Sequence, residues 1–271
     1  MPATSHEARP RGPCRRVGGV SGHLNPGGQQ FRGDRGAADP RVTAALAAYQ
    51  AGQGSERAAL GALAAARLLV PVIAEPSHKK PSHKEPSHKE PSHKEQSGEG
   101  ESGKGQGDKD SEMVLPTLIG RDGRAAVLAF TGLDALARWR PDARPVPAEA
   151  DRVWRAAVAD GYAVVIDVAG PVPLAVEGAR LTALAAGQPT PPPHEDPDVR
   201  TEVQAAVAAE PAIAGFSLAP GHHGAADLAI TLHLAPRQDA DRGPAVNRAA
   251  AGIATRLGAR LRRGIEVVIA E

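Results

Sequence analysis

The histidines of one short repeat are the residues of this chain that most resemble metal ligands. Four copies of a five-residue unit, each beginning PSHK, place His78, His83, His88 and His93 five positions apart. Imidazole nitrogens bind zinc, nickel or copper readily. A five-residue period puts these side chains on one face of neither a helix nor a strand, and the prolines exclude a regular helix. The sequence therefore predicts a solvated low-complexity repeat, with weak metal capture by the four histidines as the alternative.

A glycine-rich run at residues 98–105, GEGESGKG, has the spacing of a phosphate-binding loop. Such a loop requires a preceding strand and a following helix whose N–H groups point at the anion, and the surrounding residues predict neither. Glu99 and Glu101 would repel phosphate, and Gly105 stands where a hydroxyl would hold magnesium. We therefore interpret the run as coincidental and expect no cofactor.

Asp167 is the acidic residue whose position most suggests a function. It stands near the C-terminal end of a strand predicted at residues 163–168 that is otherwise apolar. Proteins with α/β folds often place functional side chains at that end of a strand. The alternative is that Asp167 fixes the turn into Gly170 and Pro171. This structural role is favoured, because no histidine, cysteine or second carboxylate is close to Asp167 in the sequence.

Three arginines surround a tryptophan in the run RWRPDAR, residues 138–144. Tryptophan and arginine are enriched in the energetic centres of protein interfaces, although nearby aspartates could neutralise these arginines. We expect an interaction surface, for a protein or an anion, that is formed by Arg138, Trp139, Arg140, Arg144 and Asp167.

The C-terminal third contains two further groups of polar residues. His222 and His223 lie in a glycine-containing turn, where a metal site is the minor alternative to solvated side chains. Arg256, Arg260 and Arg263 recur on one face of the last predicted helix. They either bind an anion or complement the helix dipole, and the second explanation is favoured.

Catalysis is not indicated by any residue pattern in the chain. No serine stands in a G-x-S-x-G sequence, and the single cysteine, Cys14, is a poor nucleophile in a Gly and Pro-containing stretch. We therefore name no catalytic residue and do not expect an enzyme.

Composition favours a soluble cytoplasmic protein. Of the residues, 41% are hydrophobic and 23% are charged, an ordinary globular balance. Positive charge is concentrated in residues 1–38, where six arginines oppose two acids, and this stretch is predicted to be a disordered basic tail. Residues 39–75, 113–187 and 198–271 each contain equal numbers of basic and acidic residues. This neutrality argues against nucleic-acid partners. No stretch of about 20 apolar residues is available to span a membrane.

Periodicity and capping residues predict an α/β (α+β) fold with two small mixed α/β domains. In the first domain, residues 39–187, Asp39 and Ser55 are the N-caps of two helices that precede a strand at residues 68–73. A disordered low-complexity insert at residues 76–111 follows, and it holds all seven lysines of the chain.

The rest of the first domain is predicted as an alternation of strands and helices. Strands at residues 113–119 and 125–130 flank an Asp-Gly hairpin turn, and Thr131 with Asp134 forms the capping box of a short helix. A stiff proline-rich loop at residues 141–147 leads to a longer helix, the strand of Asp167 and a last helix ending at Gly187.

A proline-rich linker, residues 188–197, separates the two predicted domains. Beyond it, residues 198–271 are predicted to form a helix-strand-strand-helix-strand unit.

Two of these runs resemble a known family. The sequence WRPDARPVP at residues 139–147 and the sequence DVAGPVP at residues 167–173, with the helix between them, resemble the SseB (enhanced serine sensitivity) family in its actinobacterial, high-GC form. The resemblance implies an SseB N-terminal domain with a variable loop where the insert stands. More weakly, residues 198–271 resemble the SseB C-terminal domain.

The SseB family has no settled biochemical activity, so the resemblance implies a class of protein and not a reaction. It implies a non-catalytic cytoplasmic module that regulates, or that binds an unknown protein partner. The alternative is an enzyme or sensor that binds a small anionic metabolite linked to amino-acid metabolism. We expect neither a nucleic-acid nor a membrane partner.

Overall fold

Two capped helices and a long strand begin the first domain, as the sequence predicts. The computed structural model describes residues 31–76, 111–120, 123–222, 225–236 and 242–270. Helix α1 spans Pro40–Gln50 and helix α2 spans Glu56–Leu63. The Asp39 side chain accepts a hydrogen bond from the Arg41 N–H, and the Ser55 side chain accepts one from the Ala58 N–H. Strand β1, Arg67–Pro76, contains the predicted strand.

Four predictions concern parts of the chain outside the described residues. These are the disordered insert, of which residues 77–110 are not described, the histidines of the PSHK repeat, the glycine-rich run at residues 98–105, and residues 1–30 of the predicted tail.

Residues 31–38 differ from the prediction of a disordered tail, because they pack onto the first domain. The Arg67 guanidinium forms an ion pair with Asp34, 2.7 Å from Nε to Oδ2, and donates to the carbonyl oxygens of Ala37 and Thr131. The Leu133 N–H donates to the Gly36 carbonyl oxygen at 2.8 Å. These contacts hold the segment across the end of β1.

The strand predicted at residues 113–119 is wrong in one respect, because it is two strands in two different sheets. Strand β2, Ser111–Val114, pairs antiparallel with β1. Strand β3, Thr117–Ile119, forms the predicted hairpin with β4, Ala125–Ala129. Pro116 lies between β2 and β3, where it has no N–H to donate to either ladder.

The segment after β4 corrects two further predictions. Helix α3 spans Leu133–Trp139 and its N-cap is Gly132, so Thr131 and Asp134 do not form a capping box. The predicted stiff loop contains strand β5, Arg144–Glu149, which pairs antiparallel with β1. Strand β5 is the edge of a three-stranded sheet in the order β2-β1-β5. An edge strand tolerates prolines because one row of its backbone groups has no ladder partner.

The remainder of the first domain completes a second sheet. Helix α4, Ala150–Ala159, leads to strand β6, Ala163–Ile166, then to the unpredicted strand β7, Leu174–Val176, and helix α5, Gly178–Ala185. The sheet order is β3-β4-β6-β7, and β4 and β6 are parallel. A bridge between Leu69 of β1 and Phe130, with both hydrogen bonds 2.8 Å long, joins the two sheets.

The C-terminal unit has the predicted order of helix, strand, strand, helix and strand. Helix α6 spans Pro197–Val207, strands β8 and β9 span Ile213–Ala219 and Leu228–Leu234, helix α7 spans Arg242–Leu257, and strand β10 spans Ile265–Ala270. Its sheet order is β10-β9-β8, with β10 parallel to β9.

The helices and the mixed and antiparallel sheets of the described residues confirm the predicted α/β (α+β) fold class, and each unit buries apolar side chains. The core of the first unit includes Trp154 and Tyr49, and that of the second includes Ile230 and Ile253. Among the described helices, none is long and apolar enough to cross a membrane.

We predict that replacing residues 77–110 by an Asn-Gly turn leaves the fold intact. Strands β1 and β2 pair from Ile73 opposite Val114 to Pro76 opposite Ser111, so the insert joins two neighbouring strand ends. A shorter loop has a smaller closure entropy, so the free energy of unfolding should stay the same or rise by up to about 2 kcal/mol. Urea unfolding followed by tryptophan fluorescence measures this. Loss of a single cooperative transition would show that the insert belongs to the core.

Candidate functional site

A buried carboxylate, Glu56, lies where the first domain meets the C-terminal unit. Glu56 is the first residue of α2 and is 5% exposed. Its Oε1 accepts a hydrogen bond from Nη1 of Arg180 on α5. Its Oε2 accepts one from Nε of Arg260, 2.6 Å away, in the turn after α7. One carboxylate therefore holds two guanidinium groups from distant parts of the chain.

Arg260 extends this network to the C-terminal unit. Its Nη2 donates to Oδ2 of Asp196, which is the N-cap of α6 and is 1% exposed. Burial lowers the pKa of Arg260, but the adjacent Glu56 and Asp196 carboxylates outweigh burial and raise the pKa above its ordinary value. Loss of one partner from such a buried pair typically costs about 3–5 kcal/mol, because it strands a charge without compensation.

The buried network forms part of the wall of a cleft with a volume of about 370 Å³. One side comes from the start of α2 and from α5. The other side comes from the turn after α7 and from the loop between β8 and β9, and prolines 191–193 of the linker close a third side. A cleft of this size, formed by both units and by their connection, suits a small ligand.

The cleft has an excess of positive charge. Four arginine side chains contribute to its wall: Arg57, Arg180, Arg260 and Arg263. The opposing carboxylates are Glu56 and Asp227 on the wall and Asp196 behind Arg260. The Asp227 carboxylate accepts two hydrogen bonds from Arg263, one from the Arg263 backbone N–H at 3.0 Å and one from Arg263 Nε at 2.8 Å. The wall therefore carries four guanidinium groups and two carboxylates.

Two buried polar atoms of the cleft residues have no hydrogen-bond partner in the described part of the chain. They are Nε of Arg180 and Oγ1 of Thr190. Arg180 is 6% exposed and Thr190 is 4% exposed. The Thr190 carbonyl oxygen accepts a hydrogen bond from Nε of the exposed Arg57 at 3.0 Å. An unsatisfied buried polar group typically costs about 1–3 kcal/mol.

The arginines near the C-terminus differ from their predicted arrangement. Helix α7 ends at Leu257, so Arg260 and Arg263 lie in the following turn and contribute to the cleft. Only Arg256 is in the last helical turn, and it pairs with Glu202 at 2.9 Å. The helix-dipole explanation therefore does not account for Arg260 and Arg263.

The predicted histidine pair is only partly described. His222 is exposed and its Nδ1 contacts Glu266, whereas His223 lies outside the described residues. Across the ranges that the structure describes, no group of three or more His, Cys, Asp or Glu side chains could hold a metal ion.

The structure places Asp167 inside the first domain, against Thr131. Its Oδ1 accepts from the Thr131 N–H at 2.8 Å, and its Oδ2 accepts from the Thr131 hydroxyl at 2.7 Å. Thr131 follows β4 and Asp167 follows β6, so the contact ties the ends of two parallel strands. Burial raises the pKa of Asp167, although the Thr131 hydrogen bonds and the Arg138 charge oppose this. The Asp167 side chain therefore bonds to Thr131, and only the Asp167 backbone carbonyl oxygen accepts from the Gly170 N–H, at 2.7 Å.

The other predicted surface residues lie around the end of α3. Trp139 is half-buried, and its ring lies 5.5 Å from that of Phe130, at an angle of 33°. Arg138 and Arg144 are exposed. Arg140 binds Asp142 through two hydrogen bonds of 3.1 and 2.7 Å, and this contact lowers the pKa of Asp142. We call Arg138, Trp139, Arg140 and Arg144 the Trp139 surface.

Sequence reasoning missed Glu56, Arg180 and Thr190 as candidate functional residues. Glu56 stands in a capped helix, where an acid in the first turn is expected for the helix dipole alone. No local pattern distinguishes Arg180 or Thr190. The signal in the sequence that pointed toward the cleft was the group of arginines in the C-terminal third, which includes Arg260 and Arg263.

The fold is α+β, and four arginines line a cleft to which both units contribute residues. A family model described as the SseB protein N-terminal domain matches residues 42–183, more than half of the chain. The protein therefore belongs to the SseB family. The match includes Glu56, Arg57 and Arg180 and ends before Thr190. The predicted resemblance of residues 198–271 to the SseB C-terminal domain and the actinobacterial type stay predictions.

Searches of curated proteins and of solved structures found no match to this chain.

We predict that Asp167→Asn lowers the free energy of unfolding by less than about 1 kcal/mol, and Asp167→Ala by about 2–3 kcal/mol. Asp167 has a φ of 47°, a left-handed conformation that asparagine adopts more easily than alanine. An asparagine can also accept from the Thr131 N–H and donate to the Thr131 hydroxyl oxygen. Alanine would leave both Thr131 groups unpaired. Urea unfolding of the three proteins measures the two differences.

We also predict that the difference in free energy of unfolding between the wild type and Asp167→Asn depends on pH. Because the pKa of Asp167 is raised in the folded state, its stabilising contribution is complete below the unfolded pKa of about 3.9. It declines as pH rises through the folded pKa. An asparagine side chain does not titrate, so the stability of the wild type relative to Asp167→Asn should fall as pH rises from about 4. A pH-independent difference would contradict the raised pKa.

Proposed function

We propose that this SseB-family protein is a non-catalytic regulatory protein of the cytoplasm that binds a small anionic metabolite in the cleft. The observation that carries the proposal is that four arginine side chains and only two carboxylates contribute to the wall of the cleft. Donors that are already held in place bind an anion at little cost in side-chain entropy.

The contacts within the cleft support binding without catalysis. Arginines hold both wall carboxylates, Glu56 and Asp227, so neither is placed to move a proton. The Ser55 hydroxyl caps α2. A nucleophile needs an adjacent base within hydrogen-bond reach, and these polar groups already have other partners.

Regulation follows from the composition of the cleft wall. Both units and the linker contribute residues, and Arg260 of the C-terminal unit binds Glu56 of the first unit and Asp196 at the end of the linker. A ligand that contacts both domains binds one relative arrangement more tightly than another. The ligand therefore favours that arrangement of the two domains, and the shift depends on how much more tightly it binds that arrangement than the other.

A second candidate function is the binding of a protein partner through the Trp139 surface. The supporting observation is a half-buried tryptophan flanked by exposed arginines, the composition of an interface centre. The arginines would match an acidic segment of the partner. Such a partner would receive the regulatory signal.

We predict that Arg57→Ala weakens anion binding about 10-fold or more without unfolding the protein. Charge-assisted hydrogen bonds contribute about 1.5–3 kcal/mol, and Arg57 is exposed, so its loss should leave the core intact. A thermal-shift screen with carboxylates, phosphates, nucleotides and amino acids, followed by calorimetry, measures the affinities.

The matched control for this screen is Arg41→Ala. Arg41 is exposed on α1 and does not line the cleft, so its loss changes the net charge equally. A screen in which no anion stabilises the protein, or equal affinities of the two variants, would contradict the proposed site.

For the Trp139 surface, we predict that Arg138→Glu abolishes stoichiometric partner capture from a cell extract while lowering the free energy of unfolding by less than about 1 kcal/mol, since Arg138 is exposed. Trp139→Ala should weaken capture and lower the free energy of unfolding by about 1–3 kcal/mol, since the ring packs on Phe130. Arg41→Glu is the control for the change of charge. Retention of the same partner by Arg138→Glu and Trp139→Ala would remove this surface from partner binding.

A further inference from the structure

We infer that two copies of this chain associate through the edge of strand β10, which pairs antiparallel with β10 of the second copy. The two C-terminal sheets then form one six-stranded sheet. This inference is independent of the cleft and of its ligand.

Strand β10 is an edge of the C-terminal sheet, whose order in the described part of the chain is β10-β9-β8. On one side β10 pairs with β9, from Ile265 opposite Leu228 to Ala270 opposite His233. The backbone groups of every second residue in a strand point to the other side. Along that side no described strand pairs with β10, so the sheet can be extended there by one more strand.

The other described sheet edges carry features that prevent pairing between edges. Strand β5 contains Pro145 and Pro147, and β8 has an irregular register between Ile213 and Gly215. Strands β2, β3 and β7 are only four, three and three residues long. Strand β10 has six residues, with no proline, glycine or register shift. It is therefore the described edge that is least protected against a further strand.

The side chains of β10 are exposed on both faces of the sheet. Val268 is 45% exposed and Ile269 is 50% exposed, the two largest fractions among the large hydrophobic side chains that are described. Successive side chains of a strand point to opposite faces, so Ile269 shares its face with Val267, which packs on the core, and Val268 lies on the other face. A helix or a small ligand would cover one face, whereas a neighbouring strand covers both.

A two-fold axis through the edge gives one register that buries both exposed side chains. Because the backbone groups alternate, two identical antiparallel strands pair with one residue opposite itself. With Val268 at that position, Ile269 faces Val267 of the second copy and Glu266 faces Ala270, so β-branched side chains meet across the strands. A centre at Val267 would instead place Val268 opposite Glu266.

The charge of the strand also fits a second copy. Glu266 is the only charged residue of β10. In the register centred on Val268, the two Glu266 side chains lie at opposite ends of the pair, about 13 Å apart along the strands at about 3.3 Å per residue. This exceeds the screening length of about 8 Å at physiological ionic strength, so the like charges repel little.

The size of the contact predicts a weak dimer. Pairing along six residues covers less than the roughly 1,600 Å² of a standard interface. We therefore expect a reversible dimer of the full chain with a Kd between about 10 µM and 1 mM.

Sedimentation velocity of the full chain at increasing concentration tests the dimer. Val268→Lys should weaken self-association about 10-fold or more, because an edge lysine opposes strand pairing. Val268 is exposed, so the variant should keep its fold, which urea unfolding checks. Ser217→Lys is the matched control. Ser217 is exposed on β8, on the same face of the sheet as Val268, and should leave self-association unchanged.

A cysteine at the centre of the pair tests the register. In a chain whose single cysteine is removed by Cys14→Ser, Val268→Cys should form a disulfide between copies under mild oxidation, because facing Cβ atoms of paired strands are close enough for one. Thr231→Cys, on the neighbouring strand β9 and the same face, should crosslink at least about 10-fold more slowly, because the neighbouring strand lies about 4.8 Å further from the axis.

Three results would overturn the inference. The first is a wild-type chain that stays monomeric up to about 1 mM. The second is a dimer that Val268→Lys does not weaken, or that Ser217→Lys weakens equally, since the second case indicates contact through the open face of the sheet. The third is crosslinking of Thr231→Cys as fast as that of Val268→Cys, or no crosslinking of Val268→Cys in a chain that dimerises.

Discussion

The buried carboxylate of Glu56 is the constraint on which the junction of the two domains depends. It is held between Arg180 of the first domain and Arg260 of the second, and Arg260 also binds Asp196. Each of these charges is expensive to bury alone, and each is satisfied only when the others are in place. The network therefore fixes the relative position of α2, α5 and the turn after α7, and with it the shape of the cleft.

Contacts of Tyr49 support the same junction. The buried Tyr49 of α1 donates its hydroxyl to the carbonyl oxygens of Ala259 and Arg260, at 3.1 and 3.0 Å. The Arg262 guanidinium lies over the Tyr49 ring, 5.2 Å from its centre. Burial and the Glu56 charge raise the pKa of Tyr49, so the hydroxyl keeps its proton and remains a donor. The junction is built from hydrogen bonds and ion pairs. A bound anion would add a charge and so change the electrostatic energy of each ion pair near it.

Local chemistry was sufficient to predict much of the fold from the sequence. Asp39 and Ser55 cap the first two helices as predicted, because an N-cap needs only its own side chain and the next three residues. The order of elements in the C-terminal unit and the family membership follow from equally local runs. The wrong predictions arose where local signals competed with pairing. Pro116 separates two strands of different sheets, and the proline-rich run at Arg144–Glu149 is an edge strand.

The sequence by itself therefore determined the elements, their order and the family, since these depend on neighbours a few residues apart. The tertiary structure decided which charges meet. Glu56 is 124 residues from Arg180 and 204 residues from Arg260, and no periodicity or motif links positions so far apart. The contact between Thr131 and Asp167 is also long-range. The sequence predicts Thr131 as a helix cap and Asp167 as a residue near a strand end, and only the pairing of the parallel strands brings them together. Long-range contacts depend on how the sheets and helices pack, so the candidate site became visible only in the folded chain.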